Sequence, residues 1–388
     1  MKWRRGLFFI LWILSLVTIS FYGGAISYGF FFGMTLIPVV SLVYLVFVYF
    51  QFRIYQEIES RTIICKQPMP YYFVLQNSEY YAFASISTRL FSGLSYVLEM
   101  PDDEEYELLP GDRYTCRTKL VCKYRGEYEV GVKEVIVTDF FRLFRLRYKI
   151  PSTIKALVYP RIIYKNELYS IQDMAVFQCH ETPYMQTEPD VVVRDYIAGD
   201  ALKRIHWKVT AREQKLKTRN LLGEEKQGIV FLYDTKRYSK NMYEYLPLEN
   251  QILETVLSLG IFFAEKNTSF TVYYGQNGVR RNQVEGMNQY ETFYQETSRV
   301  IFDEREKVTE LLGQLIEQGV LLKSNAFIVV VHEMNDRFMG MLQMLSASGL
   351  SIMLYIVTDE NMEQYIRQGN SRLKILAIPI EAELEELL

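Results

Sequence analysis

The chain has 388 residues, a formal net charge of −3 and an aromatic content of 15 %. It is too apolar to be disordered, too long for one small domain, and too evenly charged to attract nucleic acid through its overall field. Its four cysteines (Cys65, Cys116, Cys122, Cys179) include no Cys-x-x-Cys pair and its histidines number three, so neither a disulfide framework, a zinc module nor any other metal or cofactor is expected.

From Gly6 to Phe52 no residue is charged. One membrane-spanning helix takes about 20 apolar residues, so this run holds two and a connection. Tyr22–Ala25 and Ser27–Gly29 are turn-like, which places the helices over Gly6–Tyr22 and Phe30–Phe50, with Pro38 inside the second. Lys2, Arg4 and Arg5 precede the first helix, Arg53, Arg61 and Lys66 follow the second, and the connection is uncharged. Positive flanks stay inside, so residues 1–54 read as a two-helix transmembrane hairpin in the cytoplasmic membrane, with both ends and the soluble domains cytoplasmic. A cleaved signal peptide begins the same way, but a second apolar span argues against a secreted product.

Residues 55–165 read as a β-sandwich-like domain. Tyr71–Leu75, Tyr114–Val121 and Tyr128–Val137 are strand-like runs, punctuated at Pro101–Asp103, Pro110–Asp112 and Arg125–Gly126. Arg142–Lys149 alternates charged and apolar residues, as a strand with one solvated face does; a contact with lipid headgroups is the sharper alternative, because the anchor is near.

Residues 166–227 connect this domain to the next and carry the densest chemistry. Between Arg194 and Arg219 stand eight Lys or Arg and three acids, against the slightly negative whole. Asp200 is placed to cap a helix through Lys203–Arg212. Four uses are open: phosphate binding by the basic groups, acid–base work by His206 with Asp200, a buried ion-pair network with Trp207 as its apolar plug, and a docking surface. No nucleophile sits at motif spacing with His206 and no Gly-rich phosphate loop precedes a helix. Aromatics are not interleaved with the basic run, which speaks against nucleic acid.

From Gly228 strands and helices alternate, which implies an α/β domain over 228–388, with a mainly parallel sheet and helices on both faces. Strands are expected at Ile229–Tyr233, Phe270–Tyr274, Val279–Val284, Phe327–Val331, Ile352–Val357 and Leu373–Ile378. Helices are expected over Leu248–Lys266, Arg337–Ser348 and Asn361–Gln368, and one from a capping box at Asp303–Glu306 to about Gln318. A final solvated helix is expected at Glu381–Glu386.

The run Arg194-x-Tyr196-x-x-Gly199-Asp200-x-x-Lys203-Arg204-Ile205-His206-Trp207-Lys208-x-Thr210-Ala211-Arg212 resembles the signature of the "domain of unknown function 58" family. Arg125-Gly126-x-Tyr128 and Asp139-Phe140-Phe141-x-Leu143-Phe144 are similar to that family's strand motifs. The resemblance extends from the hairpin to the C-terminal part. It implies a membrane-anchored bacterial protein whose C-terminal domain is like von Willebrand factor type A, with frequent partnership with MoxR-type AAA+ ATPases. It implies no reaction. Domains of that type often hold Mg²⁺ through Asp-x-Ser-x-Ser after the first strand. Here the place reads Asp234-Thr235-Lys236-Arg237-Tyr238, with Lys236 and Tyr238 where the serines would be, and His332-Glu333 follows the strand Val329–Val331. No metal is therefore expected, and Asp234 is read as pairing with a base or capping a loop. The expected function is a membrane-anchored scaffold or adaptor rather than an enzyme, docking through Lys236, Tyr238, His332 and Glu333. The alternative is an envelope-associated hydrolase using His206 and Asp200.

Overall fold

The structure, a computed structural model, describes residues 2–100, 104–150, 153–168, 191–195, 205, 207–221, 227–303, 305 and 307–387. The chain divides into two compact units, Met1–Arg161 and Ile162–Leu388. The hairpin thus belongs to the same unit as the β region. Residues 162–168 belong with the α/β part, so the division falls a few residues ahead of the expected one at 165.

In the first unit, α1 (Lys2–Tyr22) and α2 (Gly24–Gln51) are antiparallel, each long and apolar enough to cross a membrane. Trp12 Nε1 donates to Thr35 Oγ1 at 3.1 Å, and the Trp12 and Phe31 rings lie 6.2 Å apart. The expected break over residues 22–29 shrinks to Gly23, whose φ of +56° glycine alone adopts readily; Ser27–Gly29 is helical. A helix satisfies its own backbone hydrogen bonds, which is what an apolar span needs. Beyond the level of Arg5, α2 continues alone and packs on the β region. The Tyr44 hydroxyl donates to Ala82 O at 2.9 Å and accepts the Ala84 N–H at 3.0 Å. Tyr49 meets Tyr148 at 5.4 Å and Phe52 meets Phe83 at 6.4 Å.

The strands of this unit are β1 (Arg53–Ile58), β2 (Thr62–Ile64), β3 (Pro68–Gln76), β4 (Phe83–Leu90), β5 (Ser95–Val97), β6 (Glu105–Leu108), β7 (Arg113–Cys122), β8 (Gly126–Val130), β9 (Val132–Thr138), β10 (Arg145–Lys149) and β11 (Ile154–Tyr159). They form sheets ordered β1-β3-β7-β5, β10-β9-β4-β6 and β2-β11-β8. Phe73 and Tyr106 meet at 6.3 Å between the first two sheets. The run Tyr128–Val137, expected as one strand, is two strands in different sheets. It turns the corner at Gly131, where φ is +84° and a Cβ would stand 2.7 Å from Gln56 Oε1 and 2.9 Å from Tyr71 Oη. Gln56 and Tyr71 both reach the Val132 N–H there, at 3.0 and 3.1 Å. Cys65, Cys116 and Cys122 form no disulfide among the described residues, and burial pushes the Cys122 thiol up to about 11. Cys179 lies outside the described residues.

The second unit holds β12 (Val191–Asp195), α3 (Trp207–Glu213), β13 (Lys217–Leu221), β14 (Gln227–Tyr233), α4 (Met242–Glu265), β15 (Phe270–Gly275), β16 (Val279–Val284), α5 (Met287–Ser298), α6 (Val308–Glu317), β17 (Ser324–Val331), α7 (Asp336–Ala347), β18 (Ser351–Val357), α8 (Glu363–Ile366), β19 (Leu373–Ile378) and α9 (Leu384–Leu387). Six strands form one sheet, ordered β16-β15-β14-β17-β18-β19, parallel except for β16. Ile229, Phe231 and Tyr233 face a core shared with α4 and α5, while Val230 and Leu232 face one shared with α6 and α7. The sheet is covered on both faces, as an α/β reading requires. α4 is buried along Leu246–Ala264, and Ile163 and Leu168 pack into its core. The Ile163 N–H donates to Ser258 Oγ at 3.0 Å.

The helix expected to open at Asp303 opens later, with Lys307 at its N-cap, while Glu304 and Glu306 of the expected capping box lie outside the described residues. The helix starts at Val308, and Asp303 instead forms a short parallel bridge with Lys236. Its N–H donates to Thr235 O and its carbonyl accepts from the Arg237 N–H, both at 3.0 Å. Backbone pairing fixes Asp303 away from the helix end.

Candidate functional site

In the sheet, β14 lies between β15 and β17: the chain leaves β14 to one side and later returns to the other. Such a reversal opens a crevice outside the carboxyl ends of the two strands, where open α/β sheets bind. Asp234 follows β14 and His332 follows β17, so the topology brings these two sequence-separated candidates together.

Asp234 is 1 % exposed. Its Oδ1 accepts the Lys236 N–H at 2.9 Å and its Oδ2 accepts the Tyr238 hydroxyl. Burial pushes the carboxyl above the usual carboxylate range, against the opposing pull of Tyr238, Lys236 and His332. Burial and the Asp234 charge push the Tyr238 hydroxyl far up, so it keeps its proton and donates. The Tyr238 ring stands edge-on to the His332 imidazole at 4.6 Å, and His332 Nδ1 lies 2.7 Å from Val357 O. A carbonyl only accepts, so Nδ1 carries the hydrogen. Lys236 Nζ sits 4.4 Å over the Tyr238 ring and 2.9 Å from Glu333 Oε2.

These donors do not fit a divalent cation. Mg²⁺ wants about six oxygens, whereas this carboxylate is engaged by a tyrosine and backbone N–H groups, with an ammonium alongside. Among the described residues no cluster of three His, Cys, Asp or Glu could hold a metal. Asp234 instead caps its own loop.

A stability prediction follows. A carboxyl whose folded value is raised binds protons more readily folded than unfolded, so its contribution to stability grows as pH falls through the raised value and levels off below the unfolded value of about 4. The wild-type melting temperature is therefore expected to gain on that of Asp234→Asn between pH 7 and pH 5. A difference that stays constant, or runs the other way, in paired thermal melts contradicts this.

Beside this loop lies a group that the sequence reading missed. The Arg237 guanidinium grips Glu249 through two bonds of 2.7 and 3.3 Å and lies 4.1 Å over the Tyr245 ring. Glu249 is 1 % exposed. The available signal was one carboxylate among Leu246, Leu248, Ile252 and Leu253 of a helix whose apolar residues recur at helical spacing. Arg237, Phe302, Asp303 and Arg305 line a concavity of about 500 Å³ at the same edge.

The signature stretch is only partly described. Tyr196, Gly199, Asp200, Arg204 and His206 lie outside the described residues. Arg194 is in β12, its backbone paired with Thr218 of β13. The helix described is Trp207–Glu213, against an expected Lys203–Arg212. Trp207 is 65 % exposed, which overturns its reading as an apolar plug. Lys208 and Arg212 are exposed, and Thr210 Oγ1 accepts the Lys217 N–H at 3.0 Å, tying α3 to β13.

No family model matches the chain, and no curated protein does. Among solved structures it is similar to a GH20 exo-β-N-acetylglucosaminidase from Vibrio harveyi, at 9 % identity and a TM-score of 0.19, covering 79 % of this chain and 57 % of that one. A β-glucuronidase from Bacteroides uniformis gives 8 % identity, a TM-score of 0.18 and coverage of 80 % and 34 %. The chain spans less than three-fifths of the length of these proteins, and likenesses at this score carry no argument.

Proposed function

We propose that the chain is a membrane-anchored scaffold whose α/β domain docks another protein at the cytoplasmic membrane face, a MoxR-type AAA+ ATPase being the partner that the family resemblance implies. In this reading the α/β domain is like von Willebrand factor type A. The observation that carries the proposal is the closed chemistry at the sheet's carboxyl edge. Asp234, Tyr238, Lys236, Glu333, Arg237 and Glu249 engage one another, which favours a shaped binding surface over a centre with a free nucleophile or metal. Membrane anchoring is supported by the outer surface of the hairpin. Phe9, Ile10 and Phe32 are 61, 66 and 65 % exposed, a surface that water does not tolerate and lipid does.

The test is in-cell crosslinking of the full-length protein in its host, followed by mass spectrometry of the membrane fraction. An AAA+ ATPase crosslinked near residues 234–238 or 332–336, and lost in a Lys236→Glu/Arg305→Glu variant, is the expected result. Recovery of the protein without any partner, across several crosslinkers, overturns the docking role. Its release from membranes by alkaline carbonate overturns the anchor.

A further inference from the structure

We infer that the turn between β9 and β10 is a second membrane contact: it seats Phe140 and Phe141 in the interfacial layer of the bilayer, with Arg145, Arg147 and Lys149 behind them facing anionic lipid headgroups. The inference rests on the anchoring reading above.

Position is the first argument. Arg5 is the last charged residue before the apolar run of α1, so it marks the bilayer edge. Its Nε donates to Leu143 O at 2.7 Å, inside this turn. Phe140 lies 4.8 Å from the Tyr44 ring of α2. The turn is therefore held against both helices where they leave the membrane. On the same side of α2, Tyr81 meets the Tyr44 ring at 6.3 Å, and its neighbour Tyr80 is 98 % exposed.

Shape is the second. Asp139, 1 % exposed, accepts the Phe141 N–H at 3.2 Å and the Phe144 N–H at 2.7 Å, and its carbonyl accepts the Arg142 N–H at 2.9 Å. A buried carboxylate thus organises a tight turn whose outward product is two phenylalanines, 58 and 52 % exposed. Side by side in water, such rings forgo the gain of burying their apolar surface. At the headgroup–acyl boundary they do not.

Charge is the third. On β10, Tyr148 turns toward α2, 5.4 Å from Tyr49 and 5.8 Å from Phe52. The strand's alternation then leaves Arg145, Arg147 and Lys149 exposed in a row on its other face. At about 3.3 Å per residue the row is roughly 13 Å long, comparable to a headgroup layer plus one Debye length. Such cations are drawn to an anionic membrane surface. Arg142 is held by Glu105 at 2.7 Å and is left out of this row. Continuity with the hairpin selects lipid as the occupant over a protein partner.

The test uses the full-length protein in vesicles of phosphatidylglycerol and phosphatidylcholine in equal parts, with bromine on shallow acyl-chain carbons as the quencher. The native tryptophans are Trp3, Trp12 and Trp207. One sample keeps Trp12 alone; two others lack all three and carry Phe141→Trp or Tyr96→Trp. Tyr96 pairs with Val121, at the end of β7 remote from Arg113, which is level with Arg53 at the end of α2. Emission from Phe141→Trp is expected to be largely lost to bromine, while that from Tyr96→Trp is kept. Quenching of Trp12 without quenching of Phe141→Trp overturns the inference and leaves the anchor standing. Absence of quenching at Trp12 overturns the anchor itself. Quenching of Phe141→Trp that is equal in pure phosphatidylcholine, or unchanged by Arg145→Gln/Arg147→Gln/Lys149→Gln in the mixed vesicles, overturns the headgroup part.

Discussion

Gly228→Ala is expected to destabilise the α/β unit by about 3 kcal/mol, the upper end of what overpacking a dense core costs. A Cβ on Gly228 would stand 2.0 Å from Ser269 O and 2.8 Å from Ser269 Oγ, and the first of these is backbone. That carbonyl is not free to swing aside, because it accepts the Ile229 N–H at 3.2 Å, next to the pairing of β14 with β15. For a unit of this size the loss corresponds to a fall of roughly 6–12 °C in melting temperature. Gly313→Ala is the control. Gly313 sits in α6 with open space around its would-be Cβ, so alanine there is expected to be neutral or to stabilise by roughly 1 kcal/mol. Equal melting temperatures for the two variants would contradict the close approach of β14 to residue 269.

The second large effect is expected at the buried ion pair. Arg237→Leu removes the bidentate partner of Glu249, whose side chain is 2 % exposed, and leaves a carboxylate in the core. Breaking a buried pair costs about 3–5 kcal/mol. The Arg237 side chain is 28 % exposed, so the low end, about 3 kcal/mol, is expected. Replacing both partners, as Arg237→Leu/Glu249→Leu, is expected to recover most of the loss, because an apolar pair needs no desolvation. Lys236→Ala, which removes an ion pair whose side chains are 30 and 57 % exposed, is expected to cost less than about 1 kcal/mol. Chemical denaturation of the four proteins orders them; a double variant no more stable than Arg237→Leu alone would show that Glu249 does not depend on its partner's charge.

The α/β unit was legible because its parallel strands are short apolar runs that alternate with helices of regular period. Lys236 and Tyr238, which stand where serines would be, are the groups found around Asp234: the Lys236 N–H and the Tyr238 hydroxyl both donate to its carboxyl. Three features could not be read. The corner at Gly131 is hidden because the alternation of Tyr128–Val137 continues through it, while the strand changes sheets. Asp303 precedes acids in a capping-box pattern, and only the bridge to Lys236 shows that another backbone has claimed it. The point where α2 begins to pack on the β region could not be placed either, since Leu45–Phe50 is as apolar against a sheet as it would be against lipid.

That continuation of α2 sets an order of events during synthesis. The hairpin leaves the ribosome before any strand of the sandwich, and N-terminal segments fold first. Tyr44 is then already fixed when Ala82 and Ala84 arrive to bond its hydroxyl. The strands of the first unit thus assemble on a helix made before them, and if that helix is anchored as proposed above, it is the bilayer that holds the surface on which they close.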